Sequence, residues 1–270
     1  MGELFSALRY SNSTNLGDHI QTIAAMQFLP RVDYWVDRDD LAASAHLPPS
    51  KIIANGWYMH GGHLQYPDNL DPLYVSVHIA HDWVLDSDSA TEHLRKHSPI
   101  GCRDSRTLER FQSRGIDAYL SRCLTLTFPR WVGPRVDEVL VVDIGDHSVI
   151  PPDLRRHAVA LTHYTSDGVE KDARNLLHAR ALLDRYRMAR LVITTRVHVA
   201  LPCIAFGTPV IFIPPGYSAD GRVRALAGLL PLPASREEID WEPGLPPDVT
   251  EIAERLRETC RAFIRRETRR

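Results

Sequence analysis

The clearest indication of the fold class comes from residues 189–202, whose sequence is ARLVITTRVHVALP. Its first half is a run of apolar and β-branched residues, and this predicts a buried strand that ends at Thr194. Its second half predicts a helix with Arg196 and His198 near the first turn. A strand that leads directly into a helix is the repeating unit of a parallel α/β fold. We therefore expect an α/β protein.

Short apolar runs alternate with helical segments along the rest of the chain, which is the pattern of repeated βαβ units. The alternation predicts two similar α/β halves with a cleft between them. The predicted strands are residues 3–10, 32–36, 51–54, 73–79, a short run near 100, 138–143, 157–162, 191–194 and 210–213. The predicted helices are residues 18–28, 90–96, 105–114, 171–187, 198–206 and 222–229.

Residues 128–135 interrupt this alternation with the sequence FPRWVGPR. Two prolines and a glycine between a finished unit and a new strand predict an interdomain linker. We expect an N-terminal Rossmann-like domain over residues 1–127 and a C-terminal one over 136–246. The end of the chain, residues 247–270, has the spacing of an amphipathic helix with a basic, solvated last turn.

Composition narrows the class of protein. The 270 residues carry a formal net charge of −2, which argues against a nucleic-acid partner. No signal peptide is recognisable, and no apolar run approaches the roughly 18 residues of a membrane span, although peripheral association with a membrane stays open. The four cysteines form no CxxC pair and lie in apolar or helical segments. They predict buried free thiols and a cytoplasmic protein.

The chemistry is concentrated at Arg196 and His198. Carboxyl ends of parallel strands and N-termini of helices bind anions, because unpaired N–H groups and the helix dipole both face the ligand. An arginine adds a planar fork that suits a carboxylate or a phosphate. A histidine adds a group that transfers protons near neutral pH. The alternative is a capping arginine beside a core histidine, and the spacing alone does not decide between the two interpretations.

Several segments together resemble the polysaccharide pyruvyl transferase family. Residues 191–213, LVITTRVHVALPCIAFGTPVIFI, are similar to its C-terminal signature, an Arg-x-His after a strand and a Gly-x-Pro before the next one. Further similar segments are Asn15-Leu16-Gly17-Asp18, the stretch Arg103-Asp104-Ser105 with Thr107, Thr162-His163, and Asp220-Gly221-Arg222. The motifs follow one another in the family's order from about residue 15 to about residue 230.

The resemblance implies a GT-B-like fold, in which two Rossmann-like domains face a cleft. It also implies a reaction, the transfer of the enolpyruvyl group of phosphoenolpyruvate onto a sugar as a ketal. Arg196 and Arg103 are then the candidate clamps for the carboxylate and phosphate of the donor, one from each half. His198 is the candidate general acid, or a phosphate ligand if the proton comes from elsewhere. The scheme requires no cofactor and no metal ion. The acceptor is a sugar, a lipid-linked saccharide or another glycan, and a shorter chain leaves less room to bind it.

Three further residues are candidates for substrate binding. His163 ends a predicted strand, but a surface or core histidine fits that position as well. Asp18 is placed to orient an acceptor hydroxyl, or to act only as an acidic partner of the helix dipole. Under the resemblance, His78 or His60 is placed to face the donor from the N-terminal half. Asp104 precedes a helix, and capping is the better interpretation of its role.

Other interpretations remain open at this stage. Two His-x-x-His pairs invite a zinc site, although structural zinc usually recruits cysteine and catalytic zinc often a carboxylate. These pairs are His60 with His63 and His78 with His81. A GT-B glycosyltransferase that uses a nucleotide sugar would share the architecture and the arginine. A non-catalytic relative that binds a glycan is the remaining alternative, although the presence of Arg103, Arg196 and His198 together counts against it.

Overall fold

A computed structural model of the protein describes residues 2–59, 62–165, 172–218 and 221–266. The strands are β1 (Phe5–Arg9), β2 (Tyr34–Asp37), β3 (Ser50–Ala54), β4 (Trp57–Tyr58), β5 (Leu70–Tyr74), β6 (His78–Ile79), β7 (Ile100–Cys102), β8 (Ala118–Leu120), β9 (Val136–Val142), β10 (Ala158–Leu161), β11 (Ala189–Thr194) and β12 (Val210–Phe212). The helices are α1 (Leu16–Met26), α2 (Asp88–Lys96), α3 (Ser105–Gln112), α4 (Pro152–Arg155), α5 (Asp172–Met188), α6 (Val197–Phe206) and α7 (Thr250–Arg265).

Two four-stranded parallel sheets organise these elements. The first has the strand order β2-β1-β3-β5, and the second has the order β10-β9-β11-β12. The central strands are apolar and buried over residues 139–142 of β9 and 191–193 of β11, as expected for a parallel sheet that is covered on both faces. The protein therefore has the mixed α/β architecture with parallel sheets that the alternation predicts, and each sheet is consistent with a Rossmann-like unit.

In the described part of the chain, the two sheets share one of three hydrophobic clusters, and each half of the chain has a further cluster of its own. A single cluster of buried residues contains side chains from both halves of the chain, among them Ile20, Leu124, Leu140, Leu201 and Phe263. Helices α1 and α6 pack against one another within this cluster. The predicted domain boundaries stay a prediction, but the packing of α1 on α6 places the first turns of these two helices next to each other.

Two predicted elements were wrong in detail. The strand expected over residues 73–79 is divided, because Ser76 adopts a left-handed conformation with φ of 61° between β5 and β6. The Ser76 N–H donates to the Ser121 hydroxyl, 3.0 Å away, and this distant contact stabilises the break. The helix expected over residues 222–229 is instead a short 3₁₀ helix, Gly221–Leu226. Gly228, just after it, has a φ of 75°, which ends the helical path.

The cysteines lie where the sequence predicts. All four are free and buried, and burial raises the pKa of the Cys260 thiol to about 12. They act as small apolar core residues rather than as nucleophiles. Within the described ranges, no helix is both long enough and apolar enough to cross a membrane.

Helix α7 returns to the N-terminal sheet and is anchored there by Lys51. This lysine of β3 is completely buried. Its ammonium group donates to the carbonyl oxygen of Ile264, at 3.0 Å, and to that of Arg266, and it pairs with Glu3 at 2.6 Å. The last carbonyl groups of a helix receive no hydrogen bond from within the helix, and they form the negative end of its dipole. A buried ammonium group supplies the missing donors and a favourable positive charge. Arg266 adds an ion pair to Asp71 at 2.7 Å.

We expect Lys51→Met to destabilise the protein strongly. The substitution removes the ammonium group that donates to the last carbonyl groups of α7. It also removes the cation that pairs with Glu3. Glu3 is 32% exposed and can be hydrated, so the main cost is that of the carbonyl groups left without this donor, about 1–3 kcal/mol each. Urea denaturation measures the change in the free energy of unfolding. Lys96→Met, at an exposed position of α2, is the control and should change it by less than about 0.5 kcal/mol. Equal midpoints for the two variants would contradict the anchoring role.

Candidate active site

A pocket opens where the first turns of α1 and α6 meet the end of β7. The space free of protein atoms here is about 420 Å³, a figure that includes the part open to solvent. Five of the six candidates from the sequence line it, and His78 does not. The lining residues are Asn15, Gly17, Asp18, Trp57, Arg103, His163, Thr195, Arg196, Val197 and His198.

The N-termini of two helices converge on this pocket. The Asn15 side chain caps α1 by accepting from the Gly17 N–H at 3.0 Å, and Gly17 lines the pocket. Helix α6 starts after Arg196, whose backbone is extended and whose side chain provides no cap. Each N-terminus carries the positive end of a helix dipole, so the two together favour a negatively charged ligand.

Arg196 is held in place by Asp143, a residue that the sequence analysis missed. The Arg196 Nε donates to the Asp143 Oδ2 at 2.7 Å, and the guanidinium lies over the Tyr164 ring at 4.4 Å from its centroid. Asp143 directly follows β9 and has a φ of 53°. Its position beside Arg196 follows from the pairing of β9 with β11, in which Val142 and Thr194 are partners. A carboxylate immediately after a buried strand is the signal in the sequence.

Arg103 enters the pocket from the other half of the chain, at the end of β7. It is only 2% exposed, and its Nη1 donates to the Gln21 Oε1 at 3.3 Å and to the His198 Nε2 at 3.2 Å. Its Nε has no hydrogen-bond partner among the residues that the structure describes. A guanidinium can only donate, so the His198 Nε2 accepts. His198 is therefore a neutral imidazole with its proton on Nδ1 in this state.

Gly17 allows the two helices to approach at the pocket. A Cβ atom at this position would lie 3.2 Å from both Cβ and Nδ1 of His198 and 3.1 Å from the Asn15 Oδ1. These distances are shorter than ordinary van der Waals contacts, so any side chain here would displace His198 or the cap. The glycine of the Gly-Asp segment is thus required by the position of His198.

Asp18 provides a buried carboxylate at the edge of the pocket. Its Oδ2 accepts from the Ser13 hydroxyl at 2.6 Å, and its Oδ1 accepts from the Gln21 Nε2 at 3.3 Å. Arg38, a second residue that the sequence analysis missed, forms an ion pair with the Asp18 Oδ1 at 3.6 Å. Arg38 is itself buried and directly follows β2 in the sequence. Asp18 is thus both an acidic residue in the first turn of α1 and a side chain facing the pocket.

His78 is a neighbour of Arg103 and forms a hydrogen bond with Asp104. Burial lowers the pKa of His78 to about 4, the neighbouring Arg103 acts in the same direction, and Asp104 offsets them only in part. The neutral ring donates through Nδ1 to the Asp104 Oδ2 at 2.6 Å. Asp104 also caps α3 by accepting from the Thr107 N–H at 2.9 Å, which confirms its predicted capping role. A contact of His78 with substrate stays a prediction.

No group of three His, Cys, Asp or Glu side chains in the described part of the chain is arranged to hold a metal ion. His63, His78 and His81 therefore form no such group with one another. His60 of the suggested zinc site lies outside the described residues, as does Asp220 of the last family-like segment.

Comparison with known families identifies the chain. The family model for polysaccharide pyruvyl transferase matches residues 15–217. This match covers well over half of the sequence and includes every residue that lines the pocket. The chain belongs to the polysaccharide pyruvyl transferase family. The membership confirms the resemblance that the Arg-x-His segment and its companions indicate.

The other comparisons are more distant. One solved structure to which this family member is similar is that of the functionally uncharacterized protein KP1_0663 from Klebsiella pneumoniae subsp. pneumoniae NTUH-K2044. The two chains share 13% sequence identity, and the similarity covers 84% of this chain and 88% of the other, with a TM-score of 0.46. A search of curated proteins finds no match.

Proposed function

We propose that this member of the family transfers the enolpyruvyl group of phosphoenolpyruvate onto two hydroxyl groups of a sugar or glycan, forming a pyruvate ketal. The observation that carries the proposal is the meeting of Arg103 and Arg196 in one pocket, together with the N-termini of α1 and α6. The proposal includes a GT-B-like arrangement, in which each of two Rossmann-like domains supplies one of these arginines.

The charges of the pocket suit those of the donor. Phosphoenolpyruvate carries a carboxylate and a phosphate on adjacent parts of a three-carbon unit, and each anion needs a positively charged partner. Arg196, oriented by Asp143, and Arg103, buried beside His198, supply two guanidinium groups. Guanidinium groups bind both carboxylate and phosphate through paired N–H donors. The helix N-termini add backbone N–H groups and a favourable dipole.

The reaction needs one proton at carbon and one at phosphate. A proton is added to the methylene carbon, the central carbon gains cationic character, and the first acceptor hydroxyl bonds to it. The second hydroxyl then displaces inorganic phosphate. The two hydroxyl groups lose one proton each. One of these protons restores the acid that protonated the methylene carbon, and the other leaves on the inorganic phosphate. The protein must therefore supply an acid and a base near the donor.

His198 and Asp18 are the proposed acid and base. His198 is neutral while Arg103 donates to its Nε2, but the arrival of a phosphate dianion favours the imidazolium and attracts the Arg103 guanidinium to itself. In that state His198 acts as the general acid, or donates to the phosphate if the proton reaches carbon by another route. Asp18 is placed to orient an acceptor hydroxyl and to accept its proton. The Trp57 ring, also in the pocket, offers an apolar face for a sugar.

Thermal stability measured with phosphoenolpyruvate tests the donor assignment without an acceptor. A ligand that binds only the folded state stabilises it by about 2.7 kcal/mol at 100 times its Kd, which raises Tm by several degrees. We expect phosphoenolpyruvate to raise Tm of the wild type and of the control Arg190→Ala, which alters an exposed arginine of β11. We expect Arg196→Ala to lose the effect. A response to UDP, GDP or CMP sugars instead would favour glycosyl transfer and contradict the proposal.

His198→Ala separates binding from catalysis. We expect this variant to keep most of the thermal response to phosphoenolpyruvate, since both arginines remain. Once an acceptor is identified, we expect its kcat to fall by about 100-fold or more, which is the usual contribution of a general acid. Release of inorganic phosphate measures the rate. A wild-type kcat in His198→Ala would exclude the role of His198 in proton transfer.

A further inference from the structure

His163 has an unusual environment for a buried polar residue. Its side chain is 1% exposed, and its main chain is fixed on both sides: its N–H donates to the Asp143 Oδ2 at 3.2 Å, and its carbonyl accepts from the Leu16 N–H at 2.7 Å. Yet neither ring nitrogen has a hydrogen-bond partner in the described residues. Buried polar atoms without a partner are rare in folded proteins, and one that lines a pocket indicates a missing ligand.

The ring of His163 is neutral near physiological pH. Burial lowers its pKa to about 3; the Asp143 carboxylate opposes this shift, and the Arg196 guanidinium adds to it. The uncharged ring of Tyr186 stacks on the imidazole, with a distance of 5.8 Å between the ring centroids. A neutral imidazole has one N–H donor and one acceptor lone pair. His163 therefore cannot act as an imidazolium acid, but it can donate to a ligand or accept from one.

The hydrogen-bonding capacity of the neutral His163 ring indicates which part of the substrate it meets. The donor's carboxylate and phosphate are matched by Arg103 and Arg196, whereas the main chain of His163 lies against the Asp143 carboxylate. This carboxylate is already paired with Arg196, so charge does not separate the two kinds of ligand. An anion only accepts hydrogen bonds and would leave the lone pair of the neutral ring unsatisfied. A hydroxyl group carries no charge and both donates and accepts, so it matches a neutral imidazole. Such groups are supplied by the acceptor sugar and not by phosphoenolpyruvate.

We propose that His163 belongs to the acceptor subsite and forms a hydrogen bond with an uncharged hydroxyl group of a sugar. This inference rests on the proposed function, because it assigns the donor's charged groups to the two arginines. His163 is then a specificity-determining residue. It selects acceptors with a hydroxyl group at one position and rejects analogues in which this group is replaced by hydrogen, since its own buried polar atom would stay unpaired.

Nitrogen-15 NMR of the histidine side chains tests this assignment directly. The full-length protein is labelled at histidine, and the signals of the His163 ring are assigned from their absence in His163→Gln. Phosphoenolpyruvate is added first, and then a panel of methyl glycosides at high millimolar concentration. We expect the His163 signals to stay nearly unchanged with phosphoenolpyruvate alone and to move when a glycoside binds. We expect the deoxy analogue of that glycoside to bind at least tenfold more weakly.

Two outcomes would overturn the inference. One is a shift of the His163 signals with phosphoenolpyruvate alone, which would place this residue at the donor. The other is a panel in which no glycoside moves them, which would make His163 a core residue. Failure of the proposed function shows separately, as a wild-type Tm that phosphoenolpyruvate does not raise. His163→Leu and His163→Gln control for folding: both should keep the Tm response to phosphoenolpyruvate, and only His163→Gln should retain measurable glycoside binding.

Discussion

The free energy of unfolding is expected to fall steeply as the pH is lowered from about 6.5 to about 4. Three buried histidines cause this loss, and burial is the main reason in each case. It lowers the pKa of His78 and of His93 to about 4 and that of His163 to about 3, from an ordinary value of 6.5. Between these values and 6.5 the unfolded chain binds protons that the folded protein does not, so acid favours unfolding. Above pH 6.5 the full contribution is present.

The expected effect is large relative to the stability of a domain. Each such histidine contributes up to about 1.4 kcal/mol per pH unit within its window, and three together contribute about 4 kcal/mol per unit. Typical folded proteins are stable by about 5–15 kcal/mol. The protein should therefore unfold before its carboxylates are protonated. Urea denaturation at pH 7.0, 6.0, 5.5 and 5.0 measures the slope.

Two variants separate the buried histidines from the exposed ones. His93→Gln removes a ring whose Nε2 lies 2.9 Å from the Tyr74 hydroxyl, and we expect it to reduce the slope by about one third. His46→Gln alters an exposed histidine and should leave the slope unchanged. A free energy of unfolding that stays constant between pH 7 and 5 in the wild type would show that these rings gain protons in the folded state.

The second large effect is expected at Arg103. We expect Arg103→Met to raise the Kd for phosphoenolpyruvate by at least about 100-fold, because each charge-assisted hydrogen bond to an anion contributes about 1.5–3 kcal/mol and this guanidinium offers several. The free energy of unfolding should fall by about 1–3 kcal/mol, because the Gln21 Oε1 and the His198 Nε2 both lose Arg103 as a donor in the interior. The Nε of Arg103 already lacks a partner in the described structure, and methionine fills a similar volume without a buried charge.

Isothermal titration calorimetry with phosphoenolpyruvate measures this Kd, and no acceptor is needed. Arg106→Met is the matched control, since it lies three residues later on the exposed face of α3 and should bind like the wild type. A Kd for Arg103→Met within threefold of the wild-type value would remove Arg103 from the donor site. Loss of cooperative unfolding in this variant would show that Arg103 serves the fold rather than the ligand.

The core of the site could be predicted from sequence because it is local. Arg196 and His198 follow a buried strand by two and four residues, and the end of a parallel strand lies next to the start of the helix that follows it. Arg103 came only from the family resemblance, since nothing in its own segment distinguishes an anion clamp from a solvated arginine. The structure supports this placement by putting its Nη1 next to His198.

The partners of these residues could not be predicted, since they are distant in sequence. Asp143 lies 53 residues before Arg196, and Arg38 lies 20 residues after Asp18. Each contact depends on which strands are neighbours, and the alternation of strands and helices does not determine this order. The break at Ser76 has the same origin, because it depends on a hydroxyl group 45 residues away. Local pattern thus predicts the elements, and their pairing decides the environment of each side chain.

The anchoring of α7 on Lys51 has a consequence for synthesis on the ribosome. The N-terminal sheet emerges long before residues 264–266, yet the ammonium group of Lys51 has its carbonyl acceptors only in that late segment. Domains usually begin to fold while the chain is still growing. Until α7 is synthesised, the ammonium group of Lys51 has water as its hydrogen-bond partner in place of these carbonyl groups. We expect the final closure of that sheet to wait for α7, so that the first half of the protein matures last.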